Sequence, residues 1–336
     1  MFRFVQMVTL LLGWHIFRQR QWPFIFVVYP GTPEDTKGYF PAWTIGIAKR
    51  IFPTVFPLGF IGGGLYFGTM ISTQQAEAEP SEAARLYGAL RYTAARISSE
   101  TKVAIAGRMP GILARHGHDM NAHPFVDGVR GTIHTISQGV HMVYARHEIH
   151  RMKQLAVVGG GGYSGSRLIE RLKELGYQNI VALDQRFKEE QYDGGVTRTS
   201  DPSRLEKCQV VVVLTAEGEQ FESCVPHLAK GTKVLDDTHP QIPSWLCELV
   251  RARGCHLYKV AISLPGFAFS PALPGYKANW LPGCVWEAVV TVAANGNGRN
   301  GFQDMGEFAE IAAHLGFIPL LVAHYDNVRE KKAEKP

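Results

Sequence analysis

Apolar residues fall into short runs and helical stripes that alternate regularly from residue 154 onward. Leu155–Val158 is a continuous apolar run suited to a strand buried on both faces. Ser166–Leu175 places Leu168, Ile169, Leu172 and Leu175 at helical spacing, and Gly176 is a natural helix stop. Ile180–Leu183 is a second apolar run, closing on Asp184, and Val210–Leu214, Thr232–Leu235 and Cys255–Ile262 extend the series of strands. Upstream, Phe24–Tyr29 reads as a buried strand closed by Pro30-Gly31-Thr32-Pro33. Ala76–Pro80 reads as a polar surface loop, and Ser81 as the N-cap of a helix over Glu82–Ser99 with Ala83, Leu86, Leu90, Ala94 and Ile97 on one face. Ala104–Leu113 has the pattern of a strand–turn–helix junction around Gly107, and Val129–Met152 is helical at its end. A helix from Gly283 to about Ala294, a turn over Asn295–Gly301, a helix over Phe308–Leu315 and a strand over Phe317–Ala323 precede a charged, frayed tail from Glu330.

This order predicts an α/β protein: a Rossmann-type parallel-sheet domain at 151–265, plus a second, discontinuous α/β domain built from 1–150 and completed by 266–330, with 331–336 as a tail. Two apolar stretches leave alternatives open. Met1–Phe17, ending at Arg18-Gln19-Arg20, is short for a membrane span; it is either an interfacial helix lying on a bilayer or a helix packed on its own domain. Ile51–Ser72 lacks charge, but Pro53, Pro57 and five glycines break it, so a buried strand–turn–strand is favoured over a membrane segment.

The 336 residues are enough for two domains and a large core, and a mean hydropathy of −0.06 marks a globular chain. A net charge of +5 permits an acidic partner without requiring one, and no nucleic-acid module is present. The cysteines Cys208, Cys224, Cys247, Cys255 and Cys284 form no CxxC pair, which suggests reduced thiols in a cytoplasmic protein; no signal-peptidase site is evident. His116, His118 and His123 lie close together, but no cysteine or carboxylate completes a metal site, and a polar loop is expected.

The chemistry concentrates where the first strand of the series meets its helix. Gly159, Gly162 and Gly165 stand at three-residue intervals, and the whole turn, Gly159-Gly160-Gly161-Gly162-Tyr163-Ser164-Gly165, is framed by strand, helix and second strand. Glycine permits positive φ and lets a phosphate approach bare backbone, while the N–H groups and dipole of a helix start favour a pyrophosphate. Asp184 lies 19 residues beyond Gly165, where an acid holds the ribose hydroxyls of NAD; Arg186, two positions on, is placed for the extra phosphate of NADP. These residues leave NADPH and NADH both open as the cofactor. Loops at the carboxyl ends of the later strands add Thr215, Ala216 and Asp236 to the expected cofactor-binding residues, and no metal is expected. Gly131-Thr132-Ile133-His134-Thr135 is a polar cluster that could also face a cofactor.

Several separated motifs resemble the cyanobacterial long-chain acyl-carrier-protein reductases, which make fatty aldehydes from acyl thioesters. They are Gly131-Thr132 with His134-Thr135, the glycine turn from Gly159 to Gly165, Asp236 with Pro240, Cys284-Val285-Trp286-Glu287-Ala288 as C-x-x-E-A, Gly298-Arg299-Asn300, and Gly316-Phe317-Ile318-Pro319-Leu320. The likeness covers about Gly131 to Ala323; it departs at His239, where a tyrosine is expected, and residues 1–75 match poorly.

The resemblance implies NADPH-dependent reduction of an acyl thioester, carried by acyl carrier protein or coenzyme A, through an acyl-cysteine on Cys284. By its residues alone Cys284 follows a Pro282-Gly283 turn and opens a helix, whose N-terminus favours a thiolate; free cysteine is otherwise commonly a small buried packing residue. His239 is the expected acid, with a plain loop histidine as the alternative, and His134 carries the same ambiguity. Arg299 suits a helix cap or a substrate contact. The uncharged Ile51–Ser72 could line an acyl slot, and Met1–Phe17 could give a peripheral membrane contact. Two other classes remain open: a dehydrogenase of a small soluble substrate, similar to shikimate dehydrogenase or glutamyl-tRNA reductase, and a non-catalytic nucleotide-binding, membrane-associated protein. The expected arrangement brings nicotinamide and Cys284 together in a cleft between the two domains.

Overall fold

A computed structural model describes residues 24–33, 46, 50–51, 53–62, 64–120, 122–238, 241–270, 272, 277–296 and 304–323. Met1–Phe17, His239 and Pro240, the Gly298-Arg299-Asn300 turn and the tail from Glu330 lie outside them. In chain order the strands and helices begin with β1 (Phe24–Val28), β2 (Val55–Ile61), β3 (Gly64–Thr69), α1 (Thr73–Ala78), α2 (Pro80–Ile97), β4 (Lys102–Ile105), α3 (Met109–Arg115), β5 (Phe125–Val126) and α4 (Val129–Arg146). They continue with β6 (Leu155–Val158), α5 (Tyr163–Glu174), β7 (Ile180–Leu183), β8 (Gln191–Asp193), β9 (Val196–Thr199), β10 (Val210–Val213), β11 (Lys233–Asp236), α6 (Ser244–Ala252) and β12 (His256–Ser263). The last are β13 (Phe269–Ser270), α7 (Gly283–Gly296), α8 (Met305–Leu315) and β14 (Ile318–Ala323).

The chain divides into two compact units, Met1–Gly131 with Leu264–Gly316, and Thr132–Ser263 with Phe317–Pro336. The division differs from the expected one at two places: most of α4 and the strand β14 go with the nucleotide-type sheet. β14 carries an apolar face and pairs antiparallel along β12, from Ile318 opposite Ser263 to Ala323 opposite Tyr258. α4 lies so close to the same sheet that a Cβ on Gly139 would fall 2.4 Å from the Val260 side chain.

In the first unit the sheet order is β13-β2-β3-β1-β4-β5; the pairs from β3 through β1 and β4 to β5 are parallel, and β2 pairs antiparallel with both β3 and β13. Residues 51–72 therefore contain the strand–turn–strand, turning at Gly62 with φ of +51°. Its glycines make room for aromatic rings: a Cβ on Gly64 would lie 2.5 Å from the Phe24 ring, and one on Gly68 would meet the Phe56 ring. That space is filled by Phe24 and Phe56 and is not an acyl slot at those positions. One face of the sheet is covered by Ala83, Leu86, Leu90 and Ala94 of α2, joined by Ile112 and Leu113 of α3. The expected loop at 76–80 is instead the end of α1, because Ser72 and Gln75 form a capping box that starts a helix there. Ser81 is not a cap; α2 begins at Pro80, whose fixed φ suits a first helical turn.

The second unit has the order β14-β12-β11-β10-β6-β7-β9-β8. Read from β9 to β12 this is a 3-2-1-4-5-6 parallel sheet starting at β6, the doubly wound order, with antiparallel β14 and β8 added at its edges. Its central strands are fully buried runs, Leu155–Val158 and Val210–Val213, as parallel strands covered on both faces must be. The connections after β9 and β10 are 3-10 segments, Pro202–Lys207 and Gly218–His227, in place of long helices. The fold is α/β with a Rossmann-type sheet and a second, discontinuous α/β unit. Among the described residues no helix is long and apolar enough to cross a membrane.

Candidate functional site

In a 3-2-1-4-5-6 sheet the strand order reverses between β6 and β10, and the crevice beyond their carboxyl ends is where a dinucleotide binds. The glycine turn occupies that position. Gly159 leaves β6 with φ of +83°, and a Cβ on it would fall 2.7 Å from the Leu214 carbonyl oxygen at the end of β10. A Cβ on Gly165 would fall 2.2 Å from the Gly159 carbonyl oxygen, so the first turn of α5 rests directly on the start of the turn. Gly160 is pressed in the same way against the backbone of Ala182. Gly162 caps α5, which begins at Tyr163, so Tyr163, Ser164 and Gly165 form the first helical turn, whose N–H groups open towards the crevice by helix geometry. The Tyr163 ring is half exposed and lies under the Arg167 guanidinium, 3.6 Å from its centroid.

Asp184 ends β7 with its carboxylate against the same turn: Oδ2 accepts from the Gly161 N–H at 3.0 Å and Oδ1 from the Arg186 N–H at 3.1 Å. Arg186 reaches back so that Nη1 donates to the Gly161 carbonyl at 3.0 Å, with its side chain 70% exposed. The acid and the arginine thus stand together where the adenosine ribose of a dinucleotide lies in this fold. Close-set glycines, a helix start and this pair fit a dinucleotide cofactor.

The later expectations fare differently. Thr215 and Ala216 lie in the loop after β10, where the Thr215 hydroxyl donates to the Glu217 carbonyl at 2.8 Å and Ala216 is exposed. Asp236 is fully buried, and its carboxylate accepts from the Thr238 N–H (2.9 Å), the Thr238 hydroxyl (2.6 Å) and the Ile242 N–H (3.1 Å). These bonds brace its own loop at the carboxyl end of β11. Beside it, burial pushes Asp237 up to about 7 with Asp236 adding to the rise, while burial lowers the Lys259 ammonium, whose Nζ donates to Gln241 Oε1 at 3.2 Å.

His134 is 6% exposed inside α4, its ring 6.4 Å from that of Phe317. Burial, and then the charge of Arg171, push it down to about 4, so it is neutral at pH 7 and packs as an aromatic residue. Gly131, Ile133, His134 and Thr135 are buried in α4, and Thr132 is partly exposed. Among the described residues no group of His, Cys, Asp and Glu could hold a metal; His118 stacks on Tyr87 and His123 sits 3.3 Å from Lys102 Nζ.

Cys284 is the second residue of α7 and is 8% exposed. α7 packs on β1 and β4 of its own unit, and the carboxyl ends of that unit's parallel strands bring further groups near. Tyr29 follows β1, and its hydroxyl accepts from the Arg108 N–H at 2.7 Å just after β4; burial raises its pKa, and the Cys284 charge adds to the rise. Arg108 is held in turn by Glu77, which also binds Arg115. The turn after β5 lies directly on the cysteine: a Cβ on Gly128 would come 3.1 Å from Cys284 Cβ. A Cβ on Gly131 would come 2.2 Å from the Gly283 carbonyl oxygen.

Glu287, one turn after Cys284, fastens this contact. It is 3% exposed, its Oε2 accepts from the Arg130 N–H at 2.9 Å, and its Oε1 is 3.8 Å from Arg130 Nη1. Burial first, then Asp127, push its carboxyl up to about 7 against the pull of Arg130. Tyr29, Arg108, Asp127 and the role of Glu287 were not expected; only the three-residue interval in C-x-x-E hinted that Glu287 shares a helix face with the cysteine. Cys208, Cys224, Cys247 and Cys255 are buried, and burial raises the thiols of Cys208, Cys224 and Cys255.

No protein-family model and no curated protein matches the chain. Among solved structures it is similar to the NAD-dependent malic enzyme of Thermotoga maritima, at 13% identity over 93% of this chain and 90% of that one, with a TM-score of 0.44. Quinate dehydrogenase of Corynebacterium glutamicum in complex with NAD gives 15% identity over 87% and 99%, with a TM-score of 0.40. One component chain of dipicolinate synthase from Bacillus halodurans gives 13% identity and a TM-score of 0.32; there the match covers 52% of this chain and only 60% of the other.

Proposed function

We propose that the chain is a nicotinamide-dependent oxidoreductase, with NADPH preferred to NADH. The observation that supports this reading is the close-packed glycine turn at the reversal point of a 3-2-1-4-5-6 sheet, with Asp184 and Arg186 set against it. The bound cofactor supplies a hydride. Gly159, Gly160, Gly161 and Gly162 admit the pyrophosphate to the backbone, the first turn of α5 favours its charge, and Arg186 pairs with a ribose phosphate.

For the substrate we propose an acyl thioester, of acyl carrier protein or coenzyme A, reduced to the aldehyde. This is the activity implied by the resemblance to the acyl-carrier-protein reductases, and the start of α7 is suited to it. The Cys284 thiolate forms a C–S bond to the thioester carbonyl carbon; the bond to the carrier sulfur breaks, and the carrier thiolate takes up a proton from solvent. N–H groups at the start of α7 are the nearest candidates to hold the oxyanion of this addition. One hydride and one proton then bring the acyl group to the aldehyde and release the thiol of Cys284.

A second reading, a dehydrogenase of a small soluble substrate, is favoured by a separate observation: Cys284 is 8% exposed and packed under Gly128, as a structural cysteine would be. Intact mass after incubation with acyl-CoA or acyl carrier protein, without reductant, separates the two. An acyl adduct that maps to Cys284 and disappears in Cys284→Ala supports the thioester reading. No adduct on folded protein that binds NADPH, with oxidation of small hydroxy acids surviving Cys284→Ala, establishes the second. Folded protein that binds no nicotinamide nucleotide would refute both.

A further inference from the structure

C-x-x-E places Glu287 on the same face of α7 as Cys284, about 5–6 Å away between Cβ atoms. Its carboxylate does not point into solvent: it reaches across to the backbone N–H of Arg130 and pulls the 127–131 segment onto the first turn of α7. Gly128 and Gly131 supply the close approach, since a Cβ at either would meet Cys284 or Gly283. A buried acid is costly unless it does something an apolar residue cannot. Capping α4 accounts for the hydrogen bond, and an asparagine or serine on the 127–131 segment itself could do that with less desolvation. The charge, one turn from the sulfur, is what a neutral cap would not supply.

We infer that Glu287 is the positioning residue of this site: it fixes the segment that covers Cys284, and its charge governs how readily that thiol ionises. The inference rests on the reading of Cys284 as the nucleophile. The groups facing the carboxylate are Asp127 and Arg130, and Tyr29 faces the thiol. Of the other elements packed on α7, β4 carries Lys102, beside His123, and α8 carries Glu307 with the exposed Glu310 and His314. Burial and Asp127 set Glu287 to change its charge near neutral pH, within the range where a thiol begins to ionise.

The test is iodoacetamide labelling of Cys284 in the full chain, read by peptide mass spectrometry across about pH 6 to 9. Glu287→Gln keeps an oxygen for the Arg130 N–H and removes the charge. The labelling midpoint then falls by about 0.5 in pH, and the rate at neutral pH rises about threefold. Arg130→Gln, at a half-exposed side chain, keeps the backbone N–H that Glu287 holds and removes the positive charge, which moves the midpoint the other way. A residue that only holds structure would change the melting temperature and leave the midpoint in place. Profiles of both variants superimposed on the wild type overturn the inference. Should the profiles shift while no acyl adduct ever forms on Cys284, the thioester reading fails and the coupling of Glu287 to the thiol stands.

Discussion

Gly165→Ala tests the nucleotide site at its tightest point. A Cβ there would sit 2.2 Å from the Gly159 carbonyl oxygen and 2.9 Å from Gly160 Cα. Both obstacles are backbone, so no side chain can swing aside; the first turn of α5 must withdraw by about 1 Å to restore ordinary contact. Overpacking of this kind costs about 1–3 kcal/mol. Because the displaced turn is the one that receives the pyrophosphate, about 3 kcal/mol expressed in the bound state is a roughly hundredfold rise in Kd. Gly176→Ala is the control. Gly176 has φ of +87° but nothing within 4 Å of a Cβ, so it carries only the left-handed backbone penalty of about 1–2 kcal/mol. Isothermal titration with NADPH and thermal melts should therefore separate the two. Both variants lose several degrees of Tm, and only Gly165→Ala loses affinity by about two decades. Wild-type affinity in Gly165→Ala would refute the placement of the pyrophosphate at this turn.

Arg186→Ala leaves NADH affinity within about twofold and weakens NADPH about tenfold or more, the loss of one charged contact to a phosphate, in a fluorescence titration of both nucleotides; equal losses for the two would remove Arg186 from the 2′-phosphate. His134 sets a pH dependence of stability. Its folded pKa, near 4, lies below the ordinary 6.5, so the unfolded chain takes up a proton that the fold refuses; the stability present above pH 6.5 is lost as pH falls towards 4. Between pH 7 and 5 this amounts to about 2 kcal/mol. Urea midpoints of the wild type should fall more over that interval than those of His134→Leu, which has no proton to refuse, and parallel slopes would show that His134 is not held neutral. Asp237 and Glu287, both raised, change with the opposite sign, which is why the comparison is made against the variant.

The strand–glycine–helix–strand run from Leu155 to Asp184 was legible because each element is local: four apolar residues make a buried strand, glycine at fixed intervals makes the turn, and a 3.6-residue stripe makes the helix. Residues 51–72 were legible for the same reason, since proline and glycine break any longer apolar element. What the pattern could not give were contacts between distant stretches. Ile318–Ala323 is an apolar run that would suit either sheet, and only pairing with β12 assigns it to the nucleotide-type unit. Asp236 ends a strand, as the pattern predicts, but that its partners include the N–H groups of Thr238 and Ile242 was not legible. His134 stands in a polar string that a helix buries. Glu287 shows the division most plainly. Its spacing from Cys284 follows from helical geometry alone, but its partner lies 157 residues earlier, on a segment that two glycines allow to touch it. Local backbone preference and hydrophobic period are written residue by residue; which carboxylate meets which N–H is decided only when the chain closes and every buried polar group must find a partner.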